Sequence, residues 1–564
     1  MEKENVIQAH NRNRIWQTLS RFDETTRMEA AKIALSEEEL LSSFGGELSF
    51  GTGGLRGILG VGTGRMNIYT VAKATRGLAD YLKTLDGKNV AIAFDSRHGS
   101  SEFAAIVAGV LAYHGIHAWM YDRLMPTPAL SFAVRKLRCD AGVMITASHN
   151  PAEYNGYKVY GADGCQITEK AAGVITAYIQ RVEYAALEWL SAQEAKSREL
   201  LHIVPQAVYD AYIACTLACR IRPGLACKLH LVYTPLHGAG LQPVCDVLSR
   251  MTGITLDTFE EQCAPDGDFP TCPTPNPELK EALEPAIGYA RQKGADLLIA
   301  TDPDCDRVGV VIPLRNGEYR VLSGNEVGLL LLEYILSNQK RREGREPVVI
   351  KTIVTSDLAF AIAGEYGAKV VEALTGFKYI GEKINRMEAV GEEGRFVFGF
   401  EESCGYLAGT HVRDKDGVVA CMLIAEMAQS FAADGKTLAD ALRDLYQTYG
   451  YMETRLVNFT IQGANPMEKM TGVMKKLRAN PPDFLGNGPV IAIEDFLEGI
   501  KELPRSDVLS YQNQDGEKII VRPSGTEPKV KVYLSAKGKN EQDTQDKLDR
   551  MTAQVESLLC MKRN

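Results

Sequence analysis

Short apolar runs, each breaking into a polar turn and then a helical stretch, recur along almost the whole of this chain. Asn89–Asp95 reads NVAIAFD, Ser101–His114 has helical spacing, and His117–Tyr121 is apolar again. Ala141–Thr146 (AGVMIT) follows. Similar runs stand at Leu229–Tyr233, Ala295–Thr301, Pro347–Thr352, Arg395–Phe400, Lys518–Val521 and Val530–Leu534. Strands alternating with helices predict α/β layers with largely parallel sheets. Turns after such strands lie at the carboxyl edge of a sheet, where α/β proteins carry reactive groups. Residues 1–45 stand apart, with helical spacing and a Ser-Glu-Glu-Glu entry at 36–39.

At 564 residues the chain is too long for one core; at about 100–200 residues per domain it should hold three to five. A charged helix-like stretch, Glu169–Leu201, precedes a change near 205, and a Pro-rich loop at 265–277 lies inside the next unit. A basic linker, Asn338–Glu346, precedes another strand, and near Asn465–Pro482 the pattern becomes a small α+β unit. The expected fold is α/β: three similar mixed-sheet domains at 1–205, 206–324 and 325–455, and a smaller α+β domain at 456–564.

Hydrophobic residues make up 45% and charged residues 24%, the balance of a folded globular protein. The net charge of −9 argues against a nucleic-acid partner. An anionic substrate therefore needs a local cluster of Lys, Arg and backbone amides. The charged N-terminus, MEKENVIQAHNRNR, does not read as a secretory signal. The apolar run near 327–336 is broken by Glu333 and is too short for a bilayer. The expected location is the cytoplasm, with no membrane partner. The twelve cysteines include no CxxC pair, so neither a disulfide framework nor a zinc site is expected.

Four loops carry the chemistry. Thr146-Ala147-Ser148-His149-Asn150-Pro151 leaves a buried strand and offers a hydroxyl, a nucleophile once a base or a metal activates it; a polar turn reads the same way. Asp302-Pro303-Asp304-Cys305-Asp306-Arg307 follows the strand ADLLIAT. Its three alternating carboxylates suit a hard cation such as Mg²⁺ and would repel one another without it. In Gly399-Phe400-Glu401-Glu402-Ser403-Cys404-Gly405, carboxylates and a hydroxyl suit vicinal sugar hydroxyls or general base work, though a charged strand end looks alike. Arg522-Pro523-Ser524-Gly525-Thr526-Glu527-Pro528-Lys529 combines a guanidinium, hydroxyls and a glycine, the makings of a phosphate cradle. Two further segments place cations. His411-Val412-Arg413-Asp414-Lys415-Asp416-Gly417 mixes bases and acids. Gly51-Thr52-Gly53-Gly54-Leu55-Arg56-Gly57 lacks the spacing of a dinucleotide or P-loop motif and reads as a flexible loop bringing Arg56 near an anion.

The four loops, in this order, resemble those of the α-D-phosphohexomutase superfamily, which includes phosphoglucomutases and phosphomannomutases. The likeness runs from FGTGGLRG near residue 50 to RPSGTEPKVKVYLSA near 536. The resemblance implies four domains around a central active-site cleft, one loop from each. It implies that Ser148 is phosphorylated in the active enzyme. Mg²⁺ would be held by Asp302, Asp304, Asp306 and the phosphoserine, with Arg307 ending that loop on the substrate side. Glu402 and Ser403 would hold sugar hydroxyls, and Arg522, Ser524, Gly525 and Thr526 the non-reacting phosphate. Lys415 is the first choice for proton transfer, with Lys378 (in TGFKYI), His149 and Arg56 the others. The implied intermediate is glucose 1,6-bisphosphate, the substrate a small-molecule sugar phosphate, and the fourth domain a mobile lid.

Within that superfamily GFEESCGY and GRMNIYTVAKATRGLADYL look most like bacterial phosphoglucomutases and the dual phosphoglucomutase/phosphopentomutase branch. Glucose 1-phosphate is the first expectation, a pentose 1-phosphate the second and mannose phosphate the third. A serine-nucleophile metallophosphatase and a catalytically silent sugar-phosphate binder are the other classes; phosphate on Ser148 separates the silent binder from the mutase. Oligomeric state is not read from these residues.

Overall fold

The computed structural model describes residues 2–51, 53–338, 345–461, 466–524 and 529–559. It forms two compact units, Met1–Leu322 with Gly381–Gly394 and Gly405–Ser430, and Ser323–Ile380 with Arg395–Cys404 and Phe431–Asn564.

The first unit opens with three helices, Glu2–Thr18, Glu24–Ile33 and Glu37–Phe44. Asp23 and Ser36 cap the second and third by accepting from backbone N–H groups. Trp16 anchors them, stacked on Phe22 at 4.4 Å and edge-on to Phe44, Tyr69 and Tyr184. A six-stranded sheet follows: β1 Gly54–Ile58, β2 Asn89–Phe94, β3 His117–Met120, β4 Ala141–Ile145, β5 Tyr154–Gly161 and β6 Leu201–Ile203. Its order is β1-β5-β4-β2-β3-β6. From β4 to β6 the pairs are parallel, whereas β1, β5 and β4 pair antiparallel. Helices Ile68–Lys83 and Ser100–Tyr113 help bury Val90, Ile92, Val143 and Ile145 completely.

A second sheet holds β7 Leu229–Thr234, β8 Ile254–Thr258, β9 Leu297–Thr301, β10 Val308–Pro313 and β11 Tyr319–Leu322. Its order is β11-β10-β9-β7-β8, parallel at β8-β7-β9 and antiparallel at β9-β10-β11. In both sheets the parallel array gives way to a hairpin at a fully buried strand, β4 or β9. The Ser148 and Asp302 loops are those two hairpin connections.

Two expectations need correction. Gly54–Ile58 is a strand rather than a flexible loop, with Arg56 opposite Gly156 on β5. The glycines allow close approach, since a Cβ at Gly54 would lie 2.1 Å from the Tyr157 carbonyl oxygen. Glu169–Leu201 is not one helix: Glu169–Ile179 ends, and a capping box at Ser191 and Glu194 starts the short helix Ala192–Ser197 before β6.

In the second unit β12 Val348–Thr352, β13 Lys369–Ala373 and β14 Phe396–Glu401 pair in parallel, in the order β13-β12-β14. The strand β15, Gly405–Leu407, belongs to the first unit. Helix Gly324–Asn338 packs closely on β14, its Gly328 against the Phe400 ring. Most of the linker expected at Asn338–Glu346 lies outside the described residues. The C-terminal layer is wholly antiparallel: β16 Tyr451–Thr460, β17 Phe484–Leu485, β18 Gly488–Asp495, β19 Leu509–Asn513, β20 Lys518–Pro523 and β21 Lys529–Gly538, ordered β16-β21-β20-β19-β18-β17. Helices Pro466–Ala479 and Glu541–Leu559 pack on it through Met474, Leu477, Leu548 and Met551. Ile353, Val354 and Leu374 share a further cluster with Phe496, Leu503, Ile520 and Tyr533. The eleven described cysteines are free thiols. Among the described residues no single helix is long and apolar enough to cross a membrane.

Candidate active site

In the first unit the Ser148 turn and the acidic loop meet. Ser148 adopts φ 54°, a left-handed conformation uncommon for a residue with a side chain, and its N–H donates to Thr146 Oγ1 at 2.8 Å. The buried hydroxyl donates to Asp302 Oδ2 at 2.7 Å and lies 3.1 Å from His149 Nδ1. A hydroxyl carries one proton, so with that proton directed at Asp302 the imidazole offers Nδ1–H to Oγ. Burial, with Arg307 and Arg56 nearby, pushes His149 well below the usual histidine range, so it is neutral. Arg56 donates to Asn150 Oδ1 at 3.2 Å from the exposed side of the turn.

Asp302, Asp304 and Asp306 are all buried, and one carboxylate oxygen of each lies within 4.8 Å of the others. The turn bends sharply enough to set Cys305 at φ 49°. Asp302 Oδ1 accepts the backbone N–H groups of Asp306 and Arg307 at 3.1 and 3.0 Å, which fixes the first carboxylate within its own loop. Asp304 Oδ2 accepts from Thr127 Oγ1 and Lys158 Nζ, both at 2.8 Å, while Asp304 Oδ1 and Asp306 Oδ1 are buried without a hydrogen-bond partner among the described residues. Burial and the two neighbouring carboxylates push Asp302 well up. Burial also opposes charge on Asp304, but Lys158 outweighs it and holds Asp304 down. Asp306 is raised by burial and by Asp304, against the pull of Lys415 and Lys158. Three buried carboxylates with oxygens converging at this spacing, two of them each keeping one oxygen without a hydrogen-bond donor among the described residues, are the donor set a hard divalent cation takes, so the triad fits a metal ion.

Lys415 joins the same cluster, with Nζ 3.2 Å from Asp306 Oδ2 and 3.0 Å from Asp414 Oδ1. Asp414 in turn accepts from the Tyr160 hydroxyl at 2.8 Å. Arg307 Nη1 donates to Glu278 Oε1 at 2.9 Å, while its Nε lies 4.0 Å from Asp306 Oδ1. Ser148, His149, Arg56, Lys415 and the triad are thus one cluster. Thr127, Lys158 and Tyr160 were not singled out from the sequence. A lysine within the apolar alternation of NGYKVYG, and a second tyrosine on the same strand, were the available signals.

The second unit gathers the other residues. Glu402 Oε2 accepts from Thr352 and Thr355 Oγ1 at 3.3 Å each, and Ser403 Oγ donates to Glu401 Oε1 at 3.1 Å. Cys404 adopts φ 58° in this turn, and a Cβ at Gly324 would lie 2.1 Å from the Glu402 carbonyl oxygen. Beneath it the fully buried Lys351 ammonium reaches Asp357 at 2.8 Å and Glu372 at 3.2 Å, and Lys518 reaches Asp357 at 3.1 Å. Arg522 is the last residue but one of β20, and the Ser524 N–H donates to the Lys529 carbonyl at 2.8 Å. Burial, then Glu402, push the Tyr533 phenol up against the opposing pull of Arg522, so Tyr533 lies beside both loops. Lys378 is buried at the start of helix Phe377–Ala389, its ammonium 5.2 Å from the Tyr379 ring centroid. Gly525 and Thr526 lie outside the described residues.

Comparison with known proteins assigns the four parts of the chain to one family. The phosphoglucomutase/phosphomannomutase descriptions fit in chain order: alpha/beta/alpha domain I at residues 47–186, domain II at 210–315, domain III at 323–449 and the C-terminal domain at 456–554. A phosphoglucomutase of Staphylococcus aureus is 38% identical over 525 residues, covering 91% of this chain and 94% of the relative. One of Staphylococcus haemolyticus is 38% identical over 513 residues, covering 89% and 92%. Among solved structures, a Paramecium phosphoglucomutase (pp63/parafusin, open form) superposes with a TM-score of 0.67 at 17% identity, over 92% of this chain and 95% of that one. A phosphoglucomutase/phosphomannomutase family protein of Burkholderia thailandensis gives 0.67 at 18% identity, over 90% and 97%. The chain belongs to the phosphoglucomutase/phosphomannomutase family and is an isomerase of the phosphosugar-mutase type, working by phosphoryl transfer within one substrate.

Proposed function

We propose that this protein is a cytoplasmic phosphoglucomutase that interconverts glucose 1-phosphate and glucose 6-phosphate through a phosphoserine at Ser148. The observation that carries the reading is the 2.7 Å contact between the Ser148 hydroxyl and Asp302 in a buried carboxylate triad. The names of the Staphylococcus relatives favour glucose over mannose and pentose phosphates.

Phosphorylated Ser148 gives its phosphoryl group to O6 of glucose 1-phosphate. The Oγ–P bond breaks, a P–O6 bond forms, and the O6 proton passes to a base. Glucose 1,6-bisphosphate then turns over, and Ser148 takes the phosphoryl group from O1, returning a proton to that oxygen. Lys415, at the edge of the triad, is the first candidate for the proton transfer. Lys378, His149 and Arg56 follow, though a guanidinium is a poor base. Arg307 steadies charge on the transferring group. Glu402 and Ser403 hold sugar hydroxyls, and Arg522, Ser524, Gly525 and Thr526 hold the phosphate that does not react. Asp302, Asp304, Asp306 and the phosphoserine would hold Mg²⁺, which offsets charge on the transferring oxygens. In this reading the domains are 1–205, 206–324, 325–455 and 456–564, each supplying one loop.

Two measurements test it. Incubation with glucose 1,6-bisphosphate should leave one phosphate on Ser148 by peptide mass spectrometry; an unmodified Ser148 refutes the carrier role. A coupled assay on glucose, mannose and ribose 1-phosphates should rank glucose first, and another order reassigns the substrate.

A further inference from the structure

Arg97 takes no part in the chemistry above, yet it is the side chain on which the Ser148 turn is built. It lies just past β2, fully buried. Nη1 donates to the carbonyls of Pro151 at 2.8 Å and Tyr154 at 3.0 Å. Nη2 donates to the Ser148 carbonyl at 2.6 Å and to that of Asn150. One guanidinium therefore gathers carbonyls from both ends of the segment 148–154. Its Nε lies 3.5 Å from Asp95 Oδ2, and its plane sits 4.9 Å from the Phe269 ring centroid. Asp95 is itself fixed, with Oδ1 accepting from the Arg97 N–H at 3.0 Å and Ser100 Oγ at 2.7 Å.

The turn needs such a partner. With Ser148 in the left-handed region, its carbonyl points inward, away from the sheet ladder and from water. A buried backbone acceptor left unpaired costs about 1–3 kcal/mol, so several at once would force the turn into another shape. Thr146 holds the Ser148 N–H and Arg97 holds its carbonyl, so both flanking peptide planes are set. The direction of Oγ toward Asp302 then follows from the backbone.

We propose that Arg97 is a positioning residue for phosphoryl transfer, holding the Ser148 backbone so that Oγ faces the acidic triad. This rests on Ser148 being the phosphoryl carrier. A lysine keeps the charge but cannot serve several carbonyls with one planar fork.

The test compares the wild type with Arg97→Lys and Arg97→Ala, all checked for folding by circular dichroism. Labelled glucose 1,6-bisphosphate is the phosphoryl donor, and Ser148 labelling is followed by rapid quench. We expect Arg97→Lys to be labelled about 100-fold more slowly, the cost of a displacement of order 1 Å. Its KM for glucose 1-phosphate should stay within about threefold, because the binding groups lie elsewhere. Millimolar guanidinium ion should restore part of the rate to folded Arg97→Ala and none to Arg97→Lys, whose side chain fills the space. Labelling of Arg97→Lys at the wild-type rate overturns the proposal. So does a loss that only tracks the unfolded fraction, or, if Arg97→Lys does not fold, an Arg97→Ala protein that guanidinium leaves unchanged. A wild type that takes no label refutes the carrier reading instead, so the two failures are distinguishable.

Discussion

The Ser148 region and the Glu402 region both sit where a buried strand opens into a turn, and both are built over buried charge, but the charge is handled in opposite ways. Around Ser148 the carboxylates outnumber their partners. Asp302, Asp304, Asp306 and Asp414 face Lys158, Lys415 and, at 4.0 Å, Arg307, and among the described residues two carboxylate oxygens accept no hydrogen bond. Beneath Glu402 the buried acids are answered within the protein: Lys351, Lys518 and Lys501 face Asp357 and Glu372, whose carboxyls they hold down against burial. An unbalanced buried cluster is a site awaiting a cation, whereas a balanced one is scaffold. The contrast separates a cluster with capacity for a cation from one whose charges the protein itself answers.

The largest effect that would break the comparison is at Ser148. Ser148→Ala should lower turnover by about 10³-fold or more while glucose 1-phosphate still binds by calorimetry; retained turnover would place the chemistry elsewhere. Next comes Lys351→Met, which leaves Asp357 and Glu372 short of a buried partner and should cost about 3–5 kcal/mol. Hydrogen exchange should show the loss in β12 and β13 with β4 and β9 unchanged. Divalent cation should do the reverse. Mg²⁺ at about 100 times its dissociation constant should add roughly 2.7 kcal/mol, with exchange slowed at residues 302–306 and not at 351–357. Glu402→Gln should raise KM about tenfold and change the preference between glucose and mannose 1-phosphates more than it changes kcat.

The smallest effect concerns a histidine outside both regions. Burial, then Arg76 and Lys83, push His114 down to about 4. The folded state keeps it neutral while the unfolded state takes a proton near the ordinary value of 6.5. Between those values the unfolded state binds more protons, so stability rises with pH and is lost as pH falls from 6.5 toward 4. His114→Asn should flatten that part of the melting-temperature profile and leave turnover unchanged. An unaltered profile would assign the acid sensitivity to other groups.

Much of the candidate site was legible because its groups are neighbours in the chain. Asp302, Asp304 and Asp306 occupy one turn, so their convergence needs only a strand before and a hairpin after. The Glu401-Glu402-Ser403 and Arg522–Ser524 segments are local in the same sense. Lys158, Thr127 and Arg97 were not legible, since they reach their partners from 146, 177 and about fifty residues away. The Gly51–Gly57 segment was misread for a related reason. Its glycines look like freedom in one dimension, but opposite β5 they are clearance for a neighbouring backbone.

By itself the sequence determined the α/β class, the four candidate loops and their order, because periodicity and contiguous polar turns are properties of the chain alone. Tertiary structure decided which charges are answered. Strand order brings Lys158 to Asp304, leaves Asp304 Oδ1 and Asp306 Oδ1 without a hydrogen-bond donor among the described residues, and sets Arg97 under Ser148. The physical reason is that an ionised group's state depends on what surrounds it in a dry interior, and those surroundings come from residues distant in sequence.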